Sequence, residues 1–84
     1  MRPEVFMELP IRDRVKVLYE KGTFVVAIRY YGYKINLYLM QNYYVEVFYN
    51  HKLDCIEKIE LFNPRHTRLK FYADQIKISL PAGI

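Results

Sequence analysis

The sequence predicts a small α+β domain, a four-stranded antiparallel meander sheet flanked by an N-terminal and a C-terminal helix. Residues 23–50 carry the strongest signal, three runs of β-branched and aromatic residues separated by turn-formers. Both ends instead place apolar residues at helical spacing beside Pro or Gly. Size and composition agree: 84 residues, 52% apolar and 26% charged, suffice for one core and lie far from the composition of a disordered chain. One domain is expected over residues 1–84.

The N-terminal helix is expected from Pro10, with Ile11, Val15 and Leu18 on one stripe and Gly22 as the stop. Val15, Val17 and Tyr19 also alternate as a strand would, so the alternative architecture is a small all-β barrel in which both end segments become strands. The first strand follows, and Tyr31-Gly32 supplies a two-residue turn. That turn sets Tyr30 opposite Tyr33, Ile28 opposite Ile35, Val26 opposite Leu37 and Phe24 opposite Leu39.

At the next turn two registers compete. A three-residue loop at Met40-Gln41-Asn42, with Asn42 left-handed, pairs Leu39 with Tyr43, Leu37 with Val45, Ile35 with Val47 and Tyr33 with Tyr49. A two-residue loop sets Glu46 against Leu37. Because a one-residue slip moves every side chain to the other face, burial of a wholly apolar face favours the first. After a turn at residues 50–54, a fourth strand runs from Cys55 to Phe62, where a bulge near Glu57-Lys58 would bring Ile56 and Ile59 to one face. Asn63-Pro64 then suits a helix start, with Leu69, Tyr72, Ala73 and Ile76 on one stripe. Residues 76–80 read as an extended tail. Both helices are expected on the apolar sheet face that carries Phe24, Tyr30, Tyr33, Tyr43 and Tyr49, with the tyrosine hydroxyls reaching solvent.

The chemistry points away from catalysis. There is no Gly-rich phosphate loop, no nucleophile elbow and no Cys–His zinc spacing, so no enzyme activity, metal or cofactor is expected. His51, Asp54 and Cys55 lie close in sequence, but their spacing does not enforce convergence. Cys55 is the only cysteine, which precludes an intrachain disulfide and fits a reducing, cytoplasmic setting. It reads as a semi-buried strand residue, and Glu57 and Glu60 as strand residues on opposite sides. No apolar run approaches the roughly 18 residues of a membrane span.

Nine tyrosines and five phenylalanines with no tryptophan are the unusual feature. In the favoured register the outer sheet face shows Arg29, Lys34, Tyr38, Met40, Tyr44 and Phe48, too apolar to be left in water. The first expectation is a non-enzymatic interaction domain that forms a homodimer through this face, since Tyr, Phe, Met and Arg are enriched in interfaces. The alternative is single-stranded nucleic-acid binding, the aromatics stacking bases and Arg29 and Lys34 neutralising phosphates. Thirteen Lys and Arg against nine Asp and Glu, a net charge of +4, permit that without demanding it. Arg65, His66 and Arg68, at the expected helix start, make a candidate anion site within the basic segment that ends at Lys70.

Overall fold

A computed structural model describes residues 1–63 and 69–75. The elements are α1 (Pro3–Glu8), α2 (Ile11–Lys21), β1 (Thr23–Tyr30), β2 (Tyr33–Met40), β3 (Tyr43–Asn50), β4 (Cys55–Leu61) and α3 (Leu69–Gln75). The strands form one open antiparallel sheet in the order β1-β2-β3-β4, so the α+β architecture holds and the barrel does not. No helix among the described residues is long and apolar enough to cross a membrane.

α2 begins and ends where its sequence punctuation stands. The Pro10 carbonyl accepts from the amides of Asp13 and Arg14, both at 3.0 Å, and the Gly22 amide donates to Leu18 O at 2.9 Å. A β-carbon on Gly22 would lie 2.8 Å from that Leu18 carbonyl, so only glycine permits so close a hand-off from α2 into β1. The extra helix α1 opens with Pro3 at its first position and Glu4 in its first turn, both favourable at a helix N-terminus.

The β1–β2 pairing follows the sequence from Tyr30↔Tyr33 through Ile28↔Ile35 to Val26↔Leu37. A bulge at Val25 then shifts the register, so Phe24 meets Tyr38, and Thr23 takes the place opposite Leu39. In β4 the bulge falls at Glu57, between the pairs Phe48↔Lys58 and Tyr49↔Ile56, and Ile56 and Ile59 do share one face. The same bulge overturns the opposed placement of Glu57 and Glu60. Glu57 turns to the side of Tyr33 and Asn50, whose side chains donate to it at 2.6 and 2.7 Å, and Glu60 sits opposite Glu46 on that side.

The β2–β3 turn corrects the expected register. The loop has two residues, Gln41 and Asn42, and Gln41 rather than Asn42 is left-handed, at φ 43°. Met40 pairs with Tyr43, Leu39 with Tyr44, Leu37 with Glu46, Ile35 with Phe48 and Tyr33 with Asn50. The reason is that both faces are buried. Val45 and Val47 join Met40, Ile59, Phe6 and Leu18 on one side, while Phe48 joins Ile28, Ile35, Leu37, Phe62 and Tyr72 on the other. Glu46, fully buried, is accommodated because the Tyr72 hydroxyl donates to its Oε2 at 2.8 Å. Consequently α1 and α2 cover one face and α3 the other, next to β1, rather than both helices covering a single face.

The Tyr43 hydroxyl donates to Met1 O at 2.8 Å, closing α1 over the β2–β3 turn. Arg14 of α2 donates through Nε to Leu9 O at 2.9 Å and through Nη1 to Ile59 O at 2.8 Å. The second of these occupies a carbonyl of the edge strand β4, one way a sheet edge is protected from further pairing.

Candidate functional site

Six residues expected on one outer face are divided between two. Arg29, Lys34, Tyr38 and Met40 lie on the α2 side, Tyr44 and Phe48 on the α3 side. Met40 and Phe48 are each 2% exposed, so neither is surface. The cause is the two-residue turn at Gln41-Asn42, which reverses the parity of β3. Arg65, His66 and Arg68 lie outside the described residues, as does the expected tail, and Lys70 sits exposed on α3.

What the fold brings together instead is a strip of the α2-side face near the β1–β2 turn. In β1, β2 and β3 the residues Arg29, Lys34 and Tyr49 form one cross-strand row, and Ala27, Asn36 and Val47 form the next. α2 lies over β2 and β4 and leaves Arg29 and Lys34 exposed. His51, in the β3–β4 turn, stands edge-to-face with Tyr49 at 5.1 Å between ring centroids. It joins Ala27, Arg29 and Lys34 around one depression. A second, wider depression of about 430 Å³ adjoins it, lined by Arg29, Tyr31, Tyr33, His51 and Lys52.

Two features of this strip act against stability. Arg29 and Lys34 are directly opposed across β1 and β2, a like-charge pairing that destabilises a sheet. Tyr31 is held at φ 47°, a left-handed conformation costing a bulky residue about 1–2 kcal/mol, although Gly32 beside it adopts φ 84° freely. Tyr31 is 85% exposed, and its ring meets that of Tyr30 edge-to-face at 4.6 Å between centroids.

The acids of this end are taken by neutral donors. The Tyr49 hydroxyl donates to Asp54 Oδ1, and Glu57 accepts from Tyr33 and Asn50. These bonds depress the Glu57 carboxyl below its ordinary range, with Tyr33 the largest cause, and they raise the Tyr33 and Tyr49 hydroxyls. Among the described residues the ion pairs are Arg2–Glu4 and Lys58–Glu60, so Arg29, Lys34 and Lys52 have no acidic partner there. Three tyrosine hydroxyls expected in solvent, those of Tyr33, Tyr43 and Tyr49, are claimed by protein acceptors. Cys55, expected semi-buried, is exposed because it opens the edge strand opposite Asn50. No group of three His, Cys, Asp or Glu converges among the described residues.

Deeper along the same face, α2 and the sheet line an open-sided cavity of about 230 Å³. Asn36, Tyr38 and Tyr49 belong to its strand side and Tyr19 to its helix side. Burial raises the Tyr38 hydroxyl, with Tyr19 adding to the effect. Sequence reasoning named Arg29 and Lys34, and strand alternation sets Asn36 on their face, but it missed Tyr31, Tyr49, His51 and Lys52 as members of a site. The Tyr-Gly turn was the available signal, since the favoured two-residue hairpin loops need a left-handed backbone at their first position, which here falls on Tyr31. Comparison with protein-family models, with curated proteins and with solved structures finds no match.

Proposed function

We propose that this chain is a non-enzymatic binding domain that takes single-stranded nucleic acid on the open end of its sheet. The observation that carries the reading is Tyr31, an almost fully exposed ring in a strained backbone position. It stands in the same depression as Arg29, His51 and Lys52. Departures from local stability rules concentrate where function demands them. Exposed aromatics that stack bases beside cations that neutralise phosphates are the usual equipment for binding a single strand. The exposed thiol of Cys55 supports a reducing, cytoplasmic setting for the same reading.

Fluorescence anisotropy with a labelled mixed-sequence oligonucleotide tests it. Binding is expected to weaken with added salt, with a log–log slope of roughly −2 if Arg29, Lys34 and Lys52 each neutralise one phosphate. Tyr31→Ala should weaken binding at least about fivefold through lost stacking. Absence of binding at about 50 mM salt, or binding indifferent to both salt and Tyr31, refutes the reading.

A homodimer is a second reading, and a different surface favours it. Tyr19 and Phe24 are 74% and 53% exposed, and Phe24 sits edge-to-face against Tyr38 at 5.7 Å. Light scattering across a concentration series, with Phe24→Lys as the variant, tests this. A mass that stays monomeric at high concentration refutes it.

A further inference from the structure

Resting on the nucleic-acid reading, we propose that the cavity between α2 and the sheet receives one unstacked base of the bound strand, and that Asn36 reads its hydrogen-bonding edge. The volume, about 230 Å³, exceeds the roughly 150 Å³ that suffices for a benzene ring. Val15, Leu18, Val47 and Ile56 supply apolar walls, and the rings of Tyr19 and Tyr38 flank the space.

Asn36 is the amide of the strand side, beside the hydroxyl-bearing Tyr38 and Tyr49. It is half-buried, and its amide has no hydrogen-bond partner among the described residues, which leaves an acceptor and two donors for a ligand. An amide offers donor and acceptor side by side, the pattern that matches the edge of a base in unpaired nucleic acid. The position of the cations fits as well. Lys34 stands two residues from Asn36 on the same face of β2, about 7 Å away, and Arg29 stands opposite Lys34. A base in the cavity thus has its backbone beside the exposed cationic row.

The test compares a 15-nucleotide thymidine oligonucleotide with an abasic oligonucleotide of the same length and charge, each against the wild type, Asn36→Ala and Tyr19→Ala. Tyr19 is largely exposed, so its truncation leaves the core intact. The wild type is expected to bind the base-bearing strand at least about fivefold more tightly than the abasic one. Asn36→Ala and Tyr19→Ala should each narrow that ratio by weakening the base-bearing strand. If the ratio is the same in all three proteins, the cavity takes no base, while Tyr31 stacking and the nucleic-acid reading stand. If the two strands bind equally in the wild type, no base is held anywhere, and both the cavity and the stacking role of Tyr31 are refuted. If neither strand binds, the functional reading falls and this inference falls with it.

Discussion

The two ends of the sheet are built on opposite terms. At the β2–β3 turn, α1 closes over the strands: Met40 and Phe6 are buried, and the Tyr43 hydroxyl is bonded to Met1 O. At the β1–β2 turn, by contrast, Tyr31 is left 85% exposed, and among the described residues no helix lies over the exposed, directly opposed pair Arg29 and Lys34, although both turns hold a left-handed residue other than glycine, Tyr31 here and Gln41 there. The closed end buries its side chains and bonds its tyrosine, whereas the open end leaves a like-charged pair and an aromatic ring to solvent. That asymmetry, more than any motif, separates the part of the molecule that holds the fold from the part available to a ligand.

Breaking the closed end has the largest expected effect. Phe6→Ala removes a fully buried ring and should cost about 3–5 kcal/mol, a large share of the margin of so small a domain, measured by urea unfolding. On the other face, Tyr72→Phe withdraws the hydroxyl from buried Glu46 and should cost about 1–3 kcal/mol. Restored stability in the double variant Glu46→Leu with Tyr72→Phe would identify the lost bond, rather than disturbed packing, as the cause.

Changes at the open end should run the other way. Tyr31→Asn relieves the left-handed strain and should stabilise by about 1 kcal/mol, seen as a melting temperature higher by about 4–8 °C. It should weaken oligonucleotide binding at the same time. The smallest effect concerns pH. The depressed Glu57 carboxyl contributes stability that is present above its ordinary value of 4.5 and is lost as pH falls through its folded value. The raised Tyr33 hydroxyl contributes stability that is present below 10.0 and is lost as pH rises through its folded value. Thermal unfolding of wild type and Glu57→Gln should therefore differ near neutral pH and converge on the acid side.

Much of this was legible in the residues, and the failures share a cause. α2, the four strands, the Tyr31-Gly32 turn and the Glu57 bulge follow from local punctuation and alternation. The β2–β3 register does not, because a local reading treats Glu46 as excluded from the interior. Its partner Tyr72 lies 26 residues away, on an element whose face no local pattern specifies. α1 is too short to show a periodicity, although Pro3 and Glu4 mark its start. Arg29 and Lys34 could be read as exposed cations, but their neighbourhood could not. Asn36 shares their face by alternation along β2, but Tyr49 and His51 join them only through the β2–β3 register, which the two-residue turn sets.

The central claim, that the open end gives up stability to bind, is tested most directly by Lys34→Glu. The exchange turns the like-charge pair with Arg29 into an opposite-charge pair. Thermal unfolding and oligonucleotide anisotropy on the same preparation should show a protein at least as stable as the wild type, by up to about 1 kcal/mol, that binds at least about tenfold more weakly. A variant that unfolds more easily, or that is stable and binds as the wild type does, would contradict the account.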